Sequence, residues 1–140
     1  MNRNELFSLS GRRILVTGAA GHLGHALCRY LVDDGAIVLA VDVDRRGLAA
    51  LELEFASYGE RLVTFFTDLS DDQQRGALAE AVAAKVEALD GVVFAAALVG
   101  TSELEGWNVD FAEQSISTWQ KALELNLTAP FHLSQLLAGL

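Results

Sequence analysis

Short apolar runs alternate along this chain with longer stretches in which apolar residues recur every three or four positions. The short runs are typical of buried strands, and the longer period is typical of helices that pack on a sheet. This alternation predicts βαβ units, and therefore an α/β fold with a parallel sheet covered by helices on both faces. The four predicted strands are Ile14 to Thr17, Ala36 to Val41, Leu62 to Thr67 and Val92 to Ala97.

Four helices are predicted between and after these strands. The first should run from about His22 to Asp34, where Gly35 supplies a stop, and the second from about Arg46 to Tyr58. The third should open at Ser70, since Ser70-Asp71-Asp72-Gln73 has the pattern of a capping box, and should end at Asp90-Gly91. The fourth should begin at about Ser117.

The same spacing predicts which helix faces are buried. Helix one should turn its most apolar face to the sheet, and helix two should do the same. Helix four is apolar around most of its circumference, so we expect it to be buried on more than one side. The residues concerned are Leu23, Ala26, Leu27, Tyr30 and Leu31 in helix one, Leu48, Leu51 and Phe55 in helix two, and Trp119, Leu123, Leu125, Leu127, Phe131, Leu133, Leu136 and Leu137 in helix four.

Composition narrows the class of protein. The chain has 140 residues, of which 51% are hydrophobic and 21% are charged. This composition predicts one globular domain over residues 1–140. A net charge of −9 argues against nucleic acid as a partner, and the apolar runs are too short to cross a bilayer. Cys28 is the single cysteine, which suits a reducing compartment, so the expected location is the cytoplasm.

The turn between strand one and helix one carries the main candidate chemistry. It reads Thr17-Gly18-Ala19-Ala20-Gly21-His22-Leu23-Gly24, with three glycines spaced three apart. Glycines at such a strand-to-helix turn let the backbone approach a diphosphate, and the helix N-terminus then faces the anion. The alternative is a glycine-rich turn that only connects the strand to the helix. The glycine pattern stands between a predicted strand and a predicted helix, and this context favours a dinucleotide site.

Two acids follow the next two predicted strands. Asp42 ends strand two, where a carboxylate can accept hydrogen bonds from ribose hydroxyls and would repel a 2′-phosphate. We therefore expect NAD rather than NADP, although Arg45 and Arg46 follow closely and could neutralise such a phosphate. Asp68 ends strand three at the same edge, and could equally be an acid at the start of helix three.

Other chemistry has weaker support. His22, His25 and Cys28 recur every three residues but spread around a helix with no fourth ligand close in sequence, so no metal site is expected. Glu103 and Glu105 resemble a carboxylate pair, but an acidic loop in solvent is the better interpretation.

With these residues in place, the chain resembles the short-chain dehydrogenase/reductase family from Ser10 onward. The resemblance lies in the order of motifs: the lead-in Leu9 to Arg13, the glycine turn, Asp42, Asp68-Leu69, and Glu124 to Thr128 in helix four. It implies a Rossmann-type doubly wound sheet with strand order 3-2-1-4, and hydride transfer between a nicotinamide and an alcohol or carbonyl.

The resemblance also implies roles for individual residues. It places residues of the glycine turn and of the start of helix one against the pyrophosphate. It places Asp42 against the ribose, and Asp68 with Leu69 against the adenine. Asn126 resembles the helix-four asparagine that supports the family's proton relay. Ala95 and Ala96 stand in the run that contacts the cofactor's ribose side. The pyrophosphate set is Gly18, Gly21, His22, Leu23 and Gly24.

The sequence departs from the family pattern at three places. The glycine spacing T-G-x-x-G-x-x-G is closer to the family's extended branch, while the rest resembles its compact branch. Phe94-Ala95-Ala96-Ala97 replaces the usual Asn-Asn-Ala-Gly. The family's Tyr-x-x-x-Lys is absent, since Tyr30 and Tyr58 are followed four residues later by Asp34 and Leu62. We therefore expect the cofactor-binding half of such an enzyme, truncated after helix four and without turnover by itself.

Substrate and partners follow only from the resemblance. The loop from Leu98 through Asn108 leaves strand four where the family places substrate contacts. The sequence of this loop suggests a sugar-derived small molecule as the substrate. The family commonly pairs helix four with its counterpart in a second subunit, so a homo-oligomer through helix four is expected. Two other functions stay open, a non-catalytic dinucleotide-binding or regulatory module and a methyltransferase with a similar nucleotide fold.

Overall fold

A four-stranded parallel sheet organises the molecule. The computed structural model describes residues 8–99 and 104–140, and its strands lie in the order β3-β2-β1-β4. This confirms the α/β fold and the strand order that the sequence predicted. The strands are β1 Arg13–Thr17, β2 Ile37–Asp42, β3 Leu62–Phe66 and β4 Gly91–Phe94; the α-helices are α1 His22–Asp33, α2 Arg45–Glu54, α3 Asp72–Ala83, α4 Ile116–Leu123 and α5 Ala129–Leu137.

The sheet separates two hydrophobic cores, as a doubly wound fold requires. Because side chains alternate along a strand, Val16 of β1 faces one core and Leu15 faces the other. The first core contains Cys28, Leu31 and Val32 of α1 with Leu48, Leu51 and Phe55 of the second helical region. The second contains Leu78 and Val82 of α3 with Leu133 and Leu137 of α5.

The predicted face of helix one is wrong at Leu23, Ala26 and Tyr30 and confirmed at Leu31, whereas that of helix two is confirmed. Leu23 and Tyr30 are 65% and 66% exposed, and the buried residues of α1 are Gly24, Cys28, Leu31 and Val32. The physical reason is the packing of Gly24 against the glycine turn. That contact fixes the rotation of α1 about its axis and turns the neighbouring large side chains outward.

Helix three begins and ends elsewhere than predicted. Asp71 is its N-cap, and the Asp71 side chain accepts from the backbone N–H groups of Gln73 and Gln74. The predicted capping box at Ser70 is therefore wrong, since Ser70 instead donates to Asp68. The helix ends at Ala83, and α2 ends at Glu54 before a 3-10 turn over Ala56–Arg61.

The fourth helix is a composite. α4 continues through a π-helical segment, Glu124–Thr128, directly into α5. Among the described residues, the buried positions of this composite helix lie on one face, with Thr118, Ala122, Ala129, Leu133 and Leu137 on it. The opposite face remains exposed, including Trp119 at 53% and Leu127 and Phe131 at 64% each. Burial on a second side therefore does not occur within the described residues.

Candidate functional site

Two glycines of the turn are required by its geometry. Gly18 has a φ of +65°, and a Cβ there would lie 2.6 Å from the backbone nitrogen of Ala96. A Cβ at Gly24 would lie 2.0 Å from the carbonyl oxygen of Gly18. The first glycine thus permits a left-handed turn against β4, and the last brings α1 close to the loop.

The N-terminus of α1 opens beside this turn. Gly21 is its N-cap and supplies no side-chain hydrogen bond, so the first-turn N–H groups have no side-chain cap. His22 and Leu23 are exposed in the same first turn. Uncapped N–H groups at the start of a helix favour an anion such as a diphosphate.

Asp42 lies at the carboxyl end of β2 and connects it to the glycine turn. Its Oδ2 accepts from the backbone N–H of Ala20 at 2.9 Å, and its Oδ1 accepts from Asp44 N–H at 2.9 Å. Arg45 follows, with its guanidinium carbon 3.5 Å from the centroid of the Phe66 ring. The acid and a cation therefore stand at the same end of the sheet, but Arg45 is stacked on an aromatic ring.

Two adjoining cavities form a cleft at this edge. The smaller has a volume of about 80 Å³ and the larger about 360 Å³. They share Gly18, Asp42, Val43, Ala96 and Leu125, so they are parts of one crevice. The smaller also contacts Thr67, Asp68 and Leu69, and the larger Ala20, Gly21, Asp44, Ala95, Ala97 and Leu98.

A third cavity, of about 620 Å³, lies elsewhere and is lined in part by Arg13, Ile37 and Leu62. These residues begin β1, β2 and β3, so the cavity is at the amino-terminal edge of the sheet. Ligands of open α/β sheets bind at the carboxyl ends of the strands. We therefore assign the site to the cleft formed by the first two cavities, although the third cavity is larger.

Asp68 and Leu69 lie on one wall of the cleft. The Asp68 carboxylate accepts from the N–H and hydroxyl of Ser70 at 2.9 and 2.7 Å. The carbonyl of Leu69 accepts from the guanidinium of Arg75, a buried α3 residue. Sequence reasoning missed Arg75, although its position one turn before the buried Leu78 and Ala79 was a signal that it points inward.

Thr17 holds the end of β4 against the end of β1. Its buried Oγ1 accepts from the backbone N–H groups of Ala95 and Ala96, both at 3.2 Å. These residues leave the strand ladder at Phe94, which is why β4 is shorter than predicted. Thr17 therefore fixes two residues that line the cleft.

Asn126 lies in the π-helical segment and holds the backbone of Leu98. Its Nδ2 donates to the carbonyl of Leu98, and its Oδ1 accepts from the Leu98 N–H, both at 2.8 Å. The side-chain amide thus fixes the chain that leaves β4 on the rim of the larger cavity. Both of these contacts are to backbone, and neither is to a titratable group.

The weaker candidates lie away from the cleft or outside the described residues. His25 pairs with Glu54 on the surface at 2.7 Å, and burial raises the pKa of the Cys28 thiol to about 12. Within residues 8–99 and 104–140, no three His, Cys, Asp or Glu side chains are grouped to hold a metal ion. Glu103 is outside the described residues, so the predicted carboxylate pair has no structural outcome.

Comparison with known proteins places this geometry in a family. The family model for short chain dehydrogenases matches residues 12–140. Nodulation protein G of Rhizobium sp. (strain N33) is 34% identical over 93% of this chain and 49% of its own length. D-threitol dehydrogenase of Mycolicibacterium smegmatis is 31% identical over 92% of this chain and 47% of its own.

A solved structure gives the same result at the level of the fold. The RhlG/NADP active-site complex of Pseudomonas aeruginosa superposes with a TM-score of 0.79 and 28% identity, over 100% of this chain and 49% of that one. The chain belongs to the short-chain dehydrogenase family, a family of oxidoreductases that bind a nicotinamide cofactor. It spans about half the length of the curated relatives it matches.

No helix in the described parts of the chain combines the length and apolar character needed to span a membrane.

Proposed function

We propose that this chain binds NAD in the cleft at the carboxyl edge of its sheet, as part of an oxidoreductase that transfers hydride between the nicotinamide and an alcohol or carbonyl. The observation that carries the proposal is the juxtaposition of an uncapped helix N-terminus with the Asp42 carboxylate across one crevice. The first suits a diphosphate and the second suits ribose hydroxyls.

The residue roles in this proposal follow the cleft. Asp42 faces the adenosine ribose, and the residues against the pyrophosphate are Gly18, Gly21, His22, Leu23 and Gly24. Asp68 and Leu69 contact the adenine, and Ala95 and Ala96 lie on the ribose side. Asn126 supports the proton relay by fixing the backbone near Leu98.

NAD is proposed over NADP because the Asp42 carboxylate would repel a 2′-phosphate. The neighbouring Arg45 is stacked on Phe66, which supports the same choice. The relative in the RhlG/NADP complex carries NADP, so the two cofactors must be compared directly.

The substrate proposed is a sugar-derived alcohol or its carbonyl. The likeness to D-threitol dehydrogenase, a protein named for a polyol, supports this class. Part of the loop that would contact it, residues 100–103, is outside the described residues. The single thiol supports a cytoplasmic location.

A non-catalytic dinucleotide-binding module is the second candidate, and one observation favours it. Neither Tyr30 nor Tyr58 lines the cleft, and the Tyr58 hydroxyl instead donates to Asp33 at 2.5 Å. Without a tyrosine acid, we expect this 140-residue chain to bind NAD but to show no steady NADH consumption with a panel of carbonyl compounds.

Reading the coding sequence beyond codon 140 separates the two candidates. The oxidoreductase predicts an in-frame fifth strand carrying Ser, followed about a dozen residues later by Tyr-x-x-x-Lys. A stop codon at that point, with the 140-residue chain folded in its host, would favour the non-catalytic module. Titration with S-adenosylmethionine beside NAD tests the methyltransferase alternative.

We also propose a homo-oligomer through the fourth helix. Trp119, Leu127 and Phe131 present a large exposed apolar face on α4, the π-helical segment and α5. Such a face favours burial against a partner, and a second copy supplies the same face.

A further inference from the structure

Arg75 is a buried charged residue with contacts to three segments of the chain. It is 3% exposed, and its Nη1 donates to the Leu69 carbonyl at 2.5 Å and to Glu124 Oε1 at 2.9 Å. Its Nε donates to Nδ1 of His132 at 3.0 Å. Burying this guanidinium costs desolvation energy, while the Glu124 side chain remains 36% exposed, so stability alone is a weak explanation for a charged residue at this position.

The two Nη1 contacts lie beside one cavity. Leu69 lines the small cavity of about 80 Å³, and so does Leu125, the residue that follows Glu124. A single nitrogen atom therefore connects the loop after β3 to the π-helical segment, and both of these segments contribute to the lining of this cavity.

We propose that Arg75 is a positioning residue that fixes the separation of the Leu69 and Leu125 walls, and thereby restricts the cavity to an unsubstituted adenine. This inference rests on the proposed function, because it requires adenine in the small cavity. The planar guanidinium holds two acceptors in a fixed relative position, whereas a lysine ammonium at the end of a flexible stem does not. Lysine would keep the charge beside Glu124 but release the geometry.

The test compares AMP with 1,N6-etheno-AMP, whose base is widened by a third ring. Dissociation constants are measured by calorimetry on the 140-residue chain and on Arg75→Lys, Arg75→Met and Glu124→Gln. We expect the wild type to prefer AMP, and Arg75→Lys and Arg75→Met to reduce that preference by about tenfold, because neither side chain holds the Leu69 carbonyl and Glu124 in a fixed relative position. Glu124→Gln should have an intermediate effect because a neutral acceptor remains.

Arg61→Met is the matched control, since it removes one positive charge from an exposed arginine and should leave the preference unchanged. Thermal unfolding of each variant identifies any that does not fold. The preference for AMP is then compared among the variants that fold. A wild type that binds no AMP overturns both the proposed function and this inference. AMP binding with an unchanged preference in the folded variants overturns this inference alone, as does failure of all three variants to fold, which would make the role of Arg75 purely structural.

Discussion

The carboxylate of Asp42 accepts a hydrogen bond from the backbone N–H of Ala20 at 2.9 Å. This bond joins the end of β2 to the middle of the glycine turn, two segments that are separated in sequence by the whole of α1. It orients the carboxylate and stiffens the turn at the same time. The two sequence signals of a dinucleotide site are therefore one physical unit in this molecule.

Gly24→Ala should disrupt the site and the fold together. A Cβ there would lie 2.0 Å from the Gly18 carbonyl oxygen, so α1 must move away from the turn. We expect a loss of about 3 kcal/mol or more in unfolding free energy. Gly76→Ala is the control, because its Cβ would meet open space on α3. That substitution should stabilise by about 0.5–1 kcal/mol. Urea unfolding measures both, and equal effects would contradict the packing described.

Thr17→Val should release the end of β4. Valine keeps the shape but removes the Oγ1 that accepts from Ala95 and Ala96. We expect faster hydrogen exchange at these two amides and a loss of about 1–3 kcal/mol, whereas Thr17→Ser should keep both amides protected. Unchanged exchange in Thr17→Val would show that Thr17 does not hold β4.

Asp90 should contribute stability that acid removes. The backbone N–H of Arg13 donates a hydrogen bond to the Asp90 carboxylate at 2.8 Å, and the Arg12 guanidinium pairs with the same carboxylate. These two contacts, the first the stronger, hold the pKa of Asp90 below its ordinary value of 3.8. Because the folded-state pKa is lower than the unfolded-state value, this stability is present above about pH 4 and lost as the pH falls through the folded-state pKa.

Asp90→Asn should therefore lower the unfolding free energy near neutral pH, and the difference from wild type should shrink below about pH 4. Urea unfolding across that range measures the difference. Glu87→Gln, at an exposed acid, is the control and should have little effect. A difference that stays constant with pH would exclude this contribution.

Leu127→Ser with Phe131→Ser should convert an oligomer into a monomer. Both side chains are 64% exposed on the face proposed to meet a second copy. Leu53→Ser changes an 81% exposed leucine on α2 and should leave the association unchanged. Sedimentation at micromolar concentration measures the oligomeric state of the wild type and of each variant. A wild-type monomer would contradict the proposed interface.

The period of the apolar residues was sufficient to predict the parallel sheet, and the family resemblance supplied its strand order. The apolar period failed for helix one, where it gave Leu23 and Tyr30 as buried. Gly24 decides that rotation, and a residue without a side chain adds nothing to an apolar pattern. The capping-box pattern failed at Ser70, because Ser70 and Asp71 are both good caps and only the turn at Asp68 decides between them.

The candidate site was predictable where it depends on local motifs. The glycine turn and Asp42 each have a recognisable pattern, and both line the cleft. Arg75 and Leu125 belong to no binding motif. Helical spacing indicates that Arg75 points inward, but its contact with Glu124 depends on packing between α3 and a helical segment that is distant in sequence. The π-helical segment that places Asn126 beside Leu98 likewise depends on tertiary contacts.

The central claim is that Asp42 makes this cleft an NAD site, and calorimetric titration of NAD and NADP tests it most directly. The wild type should bind NAD more tightly. Asp42→Ala should weaken NAD binding while NADP binding improves or holds, so that the preference narrows. Asp42→Asn keeps an acceptor for Ala20 but removes the charge, and should also narrow the preference if repulsion is the cause. Tighter binding of NADP by the wild type would contradict the account.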